Sequence, residues 1–256
     1  MKISRVGVDL AKSVFQLHGA NAHGKPVWKR KLSRDRWIES LCKAVPEGCE
    51  IGIEACASAH HWARLLTQHG YQVKLIPPQF VTPYVKSNKN DAHDAEAICE
   101  AMSRPTMRFV KIKTVEQQDI QAIHRVRSEL MCHRTAKANQ IRGLVAEYGL
   151  VAPQQISSLR NALPRWLEDA SNGLTPRFRA LLSGLWDDLT HLDKRIAVLD
   201  REIVDIAKHD PMAQRLQQLR GVGPLVATAL LASVGNGEQF SKGRQMAASI
   251  GLTPRQ

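Results

Sequence analysis

Asp91 and Asp94 stand three residues apart at the start of a run with helical character, Asn90-Asp91-Ala92-His93-Asp94-Ala95-Glu96-Ala97-Ile98. Positions i and i+3 of a helix share a face, so both carboxylates can point at one spot. Carboxylate oxygens are hard ligands, suited to Mg2+ or Mn2+. The same pair also reads as an ordinary helix start, where Asp serves as a cap or opposes the dipole. The metal reading gains weight only if carboxylates from elsewhere converge on the pair. Asp9 and Glu54 are the two candidates.

The elements that would carry them follow from patterning. Residues 3–9 predict a strand ending at Gly7-Val8-Asp9-Leu10, and residues 13–20 alternate as a second strand joined by a short link. Ala22-His23-Gly24-Lys25 is a turn signal, and Pro26–Leu32 predicts a third strand with Pro at its start. Ser33 is placed to cap a helix through about Val45, with Trp37, Ile38 and Leu41 inward. Cys49–Glu54 predicts a fourth strand. Ser58 is placed to cap a helix carrying Trp62, Leu65 and Leu66, stopped by Gly70. Tyr71–Ile76 predicts a fifth strand, closed by Pro77-Pro78.

An antiparallel meander followed by α/β units gives a mixed sheet, in the order of the ribonuclease H-like (resolvase-like) fold. In that layout the first strand is central and the fourth lies beside it in parallel. Asp9 and Glu54 then sit at carboxyl ends of strands, where open α/β sheets place their sites. Read singly, Asp9 is a turn residue and Glu54 a solvated strand end. Read together with Asp91 and Asp94, they make a cluster that cannot stay ionised without a counter-cation. A pair of divalent ions roughly 3.5–4 Å apart would neutralise it and organise phosphoryl transfer. His60, His61 and His93 read as capping or packing residues, and Lys12 and Lys86-Ser87-Asn88-Lys89 as either phosphate holders or solvated lysines.

The formal net charge is +12 over 256 residues, with a pI near 9.8. The excess is spread over both halves of the chain and points to an anionic partner, nucleic acid first. Five cysteines at 42, 49, 56, 99 and 132 include no CxxC pair, which argues against a disulfide framework or zinc site and fits a reducing cytoplasm. The first residues lack the apolar core of a signal peptide, and no apolar run nears the roughly 20 residues that cross a bilayer, so no membrane partner is expected.

From Thr114 to about Tyr148 the pattern is helical, with Thr114 and Gln117 resembling a capping box. Ile120, Ile123, Val126, Leu130, Ile141, Leu144 and Val145 mark its apolar face. Arg125, Arg127, Arg134, Lys137 and Arg142 make the helix basic with few acids opposed, a face for a phosphate backbone or simply a solvated one. Ile156–Gly173 reads as shorter, broken material with Pro164. Pro176 opens a long helix to about His209 whose apolar residues, from Phe178 to Ile206, step by four and three. That is a heptad seam that predicts a coiled coil, pairing with the 114–148 helix or with another subunit. Leu219-Arg220-Gly221-Val222-Gly223-Pro224 and the apolar run after it predict a helix–hairpin–helix, in which Gly221, Val222 and Gly223 present amides to a phosphate, or else a plain helix–turn–helix corner.

Val6-Gly7-Val8-Asp9-Leu10-Ala11-Lys12, Ile53-Glu54 and Lys89-Asn90-Asp91-Ala92-His93-Asp94-Ala95, with the block Phe240–Arg255, resemble the Asp-Glu-Asp-Asp insertion-sequence transposases. These are the IS-one-ten and IS-eleven-eleven group, similar to the DNA invertases of pilin genes. The resemblance spans essentially the whole chain. It implies a ribonuclease H-like domain over 1–112, long helices and coiled coil over 113–210, and a partial C-terminal transposase domain over 211–256. It implies Asp9, Glu54, Asp91 and Asp94 as catalytic metal ligands, Mg2+ or Mn2+ as cofactor, and DNA as substrate. A structured bridge RNA as guide and a homo-oligomer, dimer or tetramer, are implied as partners.

The sequence departs from the family in one respect. The family's serine nucleophile is expected in a Gly- and Ser-rich basic segment just past this block. Ser241 reads instead as a helix cap and Ser249 as a packed helical position, so the chain reads as C-terminally truncated. The leading expectation is an RNA-guided transposase or recombinase that cleaves and joins DNA with a divalent metal. The alternatives are a structure-selective, metal-dependent endonuclease using the same carboxylates, and a non-catalytic remnant that binds nucleic acid.

Overall fold

The structure, a computed structural model, describes residues 2–85 and 91–252, with the side chains of Asp91 and Ala92 outside the description. The Lys86–Lys89 segment and Asn90, named above, therefore lie outside the described residues. The chain divides into two compact units, Met1–Lys113 and Thr114–Gln256.

The first unit begins with β1 (Arg5–Leu10), β2 (Val14–Ala20) and β3 (Pro26–Ser33), followed by α1 (Trp37–Ala44), β4 (Glu50–Glu54), α2 (Ala59–Gln68) and β5 (Gln72–Ile76). A short helix α3 (Pro78–Val81) and then α4 (Asp91–Ala101) complete it. The sheet order is β3-β2-β1-β4-β5. β1 and β2, and β2 and β3, are antiparallel, whereas β4 is parallel to both β1 and β5. A mixed five-stranded sheet with β1 central agrees with the expectation from element order and is compatible with a ribonuclease H-like domain.

Alternation along the strands decides which helices cover which face. Val6, Val8, Phe15, Leu17, Ile51, Ile53 and Leu75 form one fully or almost fully buried face, packed with Trp37 and Leu41 of α1 and Trp62 and Leu66 of α2. Phe15, Trp37 and Trp62 meet edge to face there, with ring centroids 5.1–5.4 Å apart. The opposite face carries Gly7 and Asp9 on β1 and Gly52 and Glu54 on β4, and α4 packs over it.

Two expected caps are corrected. Ser33 is the last residue of β3, and α1 starts four residues later behind Arg36, without a side-chain cap. Its carbonyl accepts from the Arg36 amide in the connecting turn. Ser58 does precede α2, but in a left-handed conformation (φ 68°) from which its hydroxyl makes no cap. Gly70 (φ 82°) ends α2 as expected.

The second unit is helical: α5 (Val115–Ala146), α6 (Ile156–Glu168), α7 (Pro176–His209), α8 (Pro211–Gln217), α9 (Pro224–Val234) and α10 (Gly243–Ser249). Thr114 and Gln117 form the reciprocal capping box at the start of α5. α7 packs along α5 of the same chain. Leu182, Leu185 and Leu189 of the predicted seam are buried with Ala138, Ile141 and Val145, and Ile196 and Ile203 are buried further along.

Residues 156–168 form a continuous helix with Pro164 inside it, which corrects the reading of broken material. Proline costs the helix one hydrogen bond, but Leu159 and Leu163 are completely buried, and that burial offsets the loss. Ser241 is not a backbone cap, since its hydroxyl and amide both donate to the Gln245 side chain. Ser249 is exposed rather than packed and donates to the Met246 carbonyl. No helix among the described residues is long and apolar enough to cross a membrane.

Candidate active site

β1 pairs with β4 in parallel from Arg5↔Glu50 to Val8↔Ile53. Asp9 and Glu54 are the next residue on each strand, so parallel register leaves them side by side at the carboxyl edge. Their faces follow from Gly7 and Gly52, which pair with each other one alternation earlier. A methyl group at Gly7 would sit 2.5 Å from the Cys99 nitrogen and overlap the Ala95 carbonyl, both on α4. One at Gly52 would lie 2.8 Å from the Met102 sulfur and 3.2 Å from Ile98. These two glycines therefore let α4 lie directly on the sheet. Asp9 and Glu54, two residues further along, project on that same face.

Asp94 sits in the first turn of α4, half-buried, and reaches this edge. Burial raises the Glu54 carboxyl above the usual carboxylate range, and the neighbouring Asp94 charge raises it further. The Cys56 thiol is pushed up by burial, then by Glu54 and by Asp9. Three carboxylates thus act on one small region. Asp91 opens α4, and its side chain lies outside the description. Among the described residues, no three His, Cys, Asp or Glu side chains are close enough to enclose a metal ion.

The nearby histidines have other work. His60 accepts from the Lys113 amide at 3.2 Å, and burial with Lys113 and Arg64 nearby lowers its pKa. His61 packs against the Trp62 ring, 4.8 Å between centroids. Lys12 is exposed in the β1–β2 turn.

In the second unit the expectation of few opposing acids on the basic helix is corrected. Arg127 pairs with Asp200, Arg134 with Asp193 at 3.3 Å, and Lys137 with Asp188 at 2.9 Å, all across to α7. Asp193 also takes Arg160 of α6. Arg142 donates to Asn139 and to the Pro153 and Gln154 carbonyls. These side chains hold the helices together, while Arg125 is exposed. Gly221 is left-handed (φ 87°) in the α8–α9 turn, Gly223 precedes α9, and nothing lies within 4 Å of where a Cβ at either would stand. Val222 packs against the cluster of Ala207, Ala213 and Ala227.

A family profile described as "Transposase" matches residues 6–150, and one described as "Transposase IS116/IS110/IS902 family" matches residues 213–256. The chain is 47% identical to a protein named "Probable family 20 transposase" from Pseudomonas aeruginosa, over 100% of this chain and 75% of that one. The chain belongs to the IS110-type transposase family. Other relatives agree. The transposase for insertion sequence element IS1111A of Coxiella burnetii is 44% identical over 99% of this chain and 69% of its own length. That for insertion sequence element IS1328 of Yersinia enterocolitica is 39% identical over 99% and 75%.

Gly7 and Gly52 are the positions in this transposase that sequence reasoning passed over. Each lies two residues before a candidate carboxylate on its strand. Glycine inside a strand marks close backbone approach, so the signal was present.

Proposed function

We propose that this transposase cleaves and joins DNA strands with a divalent cation held by Asp9, Glu54, Asp94 and Asp91. The observation that carries the reading is the shared face. Two carboxylates end neighbouring parallel strands, a third comes from the helix laid across them, and Glu54 is raised by burial and by Asp94. That donor set suits Mg2+ or Mn2+, because hard oxygen ligands under mutual repulsion are relieved by a small cation. Such an ion, when bound, supplies Lewis-acid polarisation of a scissile phosphate.

The residues of the chain do the rest. Asp9 and Glu54, fixed by strand register, set the position of the phosphate against the sheet edge. Asp94 is carried by α4, whose approach is fixed at Gly7 and Gly52. With no cation bound, burial and the neighbouring Asp94 charge both favour the protonated form of Glu54. In the family the attacking group is a serine; neither Ser241 nor Ser249 is assigned that role here.

The reading extends to a guide RNA and to a homo-oligomer, a dimer or tetramer, both on family resemblance. It includes a backbone-gripping hairpin at Gly221, Val222 and Gly223, with Arg125 as a further phosphate contact. It also keeps the division of the helical part of the chain into long helices over 113–210 and a C-terminal domain over 211–256.

The test is metal-dependent cleavage of DNA bearing the insertion sequence's own ends. Asp9→Asn and Asp94→Asn are expected to reduce the cleavage rate at least about a hundredfold while leaving DNA binding in place. Cleavage at the unaltered rate by both variants removes the assignment.

A further inference from the structure

The sheet register extends the carboxylate edge sideways. Asp9 pairs with Gln16 on β2, and Gln16 pairs with Lys31 on β3. Directly opposed residues in antiparallel strands project on the same face. One transverse row on the α4 face therefore reads Glu54, Asp9, Gln16, Lys31. The next row reads Gly52, Gly7, His18, Lys29. Contacts confirm the parity, because Lys29 and His18 both lie within reach of Glu96 on α4, at 3.5 and 3.7 Å. Arg30, between the two lysines, belongs to the other face, as do its neighbours Trp28 and Leu32.

The two lysines differ in setting. Lys29 sits over Glu96, which offsets its charge. Lys31 is exposed on the edge strand, in line with the carboxylates, and lines a groove of about 190 Å³ along β2 and β3 with Gln16, Leu17, His18, Lys29 and Arg30. Strands lie roughly 4.8 Å apart, so Lys31 is about 10 Å from Asp9 at the backbone. One DNA strand advances about 3.4 Å per nucleotide along the duplex axis and its successive phosphates are further apart than that, so the span reaches a phosphate within about three nucleotides of the scissile one. A strand whose scissile phosphate sits at Asp9 and Glu54 would bring a neighbouring phosphate over Lys31 if it ran along this row.

We propose that Lys31, with Gln16 beside it, forms a backbone-phosphate subsite for the DNA strand that enters the carboxylate edge. This rests on the reading of that edge as the cleavage site. The subsite positions DNA and takes no part in bond breaking. Gln16 contributes an amide donor and Lys31 a charge, neither of which reads base sequence.

The test uses the full chain, a fluorescent 40-base-pair mixed-sequence duplex and an RNA hairpin of equal length, each titrated between 50 and 200 mM salt. Lys31→Ala is compared with Lys31→Arg and with Lys43→Ala, whose side chain pairs with Glu39 on α1. Thermal melting checks that each variant folds. Loss of one phosphate contact lowers the slope of log affinity against log salt by about 0.9, roughly a threefold smaller ratio between 50 and 200 mM. Lys31→Ala is expected to lose that much on duplex DNA, Lys31→Arg to restore it, and Lys43→Ala to match the wild type. In cleavage assays Lys31→Ala is expected to raise KM and leave kcat unchanged.

A wild-type slope in Lys31→Ala overturns the proposal. So does an equal loss in Lys43→Ala, a loss confined to the RNA hairpin, or weaker binding without a change in KM. Failure of the underlying site is read separately: Asp9→Asn would then cleave as the wild type does, whatever Lys31 contributes to binding.

Discussion

Glu54 sets the electrostatics of the candidate site at the scale of single residues. Its carboxyl is held up by burial and then by Asp94, so the folded chain binds that proton more tightly than the unfolded chain does. Linkage fixes the sign. The stability Glu54 contributes is complete below its ordinary pKa and is lost as pH rises through its raised folded value. The wild type should therefore lose melting temperature relative to Glu54→Gln as pH rises from about 4 toward neutrality in chelator. At neutral pH the variant should melt higher. Adding Mg2+ should raise the wild-type melting temperature and leave Glu54→Gln almost unmoved, since a ligand stabilises only the state that binds it. Parallel pH curves for the two proteins would remove Glu54 from the cluster. The left-handed glycine at 221 makes a second residue-level prediction. Gly221→Ala should destabilise the α8–α9 turn by about 1–2 kcal/mol in denaturant titration, because its φ of 87° is a left-handed conformation that L residues adopt only at a cost, however open the space around it.

At the scale of elements, the placement of α4 depends on two absent side chains. Gly7→Ala forces a methyl into the Ala95 carbonyl and the Cys99 amide, both backbone, so the helix must move. A loss of about 3 kcal/mol is expected, with cleavage falling further than stability because Asp94 moves with the helix. Gly52→Ala meets chiefly the flexible Met102 side chain and should cost about 1 kcal/mol. Equal, small losses for both would mean that α4 does not lie against β1 as described. In the second unit, Asp193→Ala leaves both Arg134 and Arg160 without this carboxylate and should cost about 2 kcal/mol.

Much of this architecture was legible in the sequence, and the exceptions have physical causes. The five strands were readable because β-branched runs of the right length alternate with helical patterns bounded by Gly and Pro. The capping box at Thr114 was readable because both partners lie within four residues. Ser33 and Ser58 misled because a serine before a helical pattern is a cap only if the local backbone allows it. β3 runs on through Ser33, and Ser58 is left-handed. The basic face of α5 misled because its acids are far away in sequence. Yet Arg127 and Arg134 are one heptad apart, as are Asp193 and Asp200, and that matched spacing of opposite charge is how two antiparallel helices record their pairing. For the site, Asp9 and Glu54 at adjacent strand ends followed from element order, whereas the role of Gly7 and Gly52 required seeing what lies across them.

On the scale of the whole molecule, a net charge of +12 predicts DNA binding that weakens steeply with salt. The corrected ion pairs sharpen that expectation. Arg125→Ala should lower the salt slope by about 0.9 with little change in melting temperature. Arg134→Ala should do the reverse, since its partner is Asp193 within the fold. A salt slope that falls equally in both would return the whole α5 face to the DNA.

The proposed cleavage chemistry requires residues from β1, β4 and α4 to bind one divalent cation. Calorimetric titration of the full chain with Mn2+ asks this directly, using folded Asp9→Asn, Glu54→Gln and Asp94→Asn for comparison. Each single variant is expected to weaken Mn2+ binding at least about tenfold, and any two together to abolish it, because they remove ligands from the same ion. Wild-type affinity in all three variants would contradict the shared site and with it the proposed cleavage chemistry.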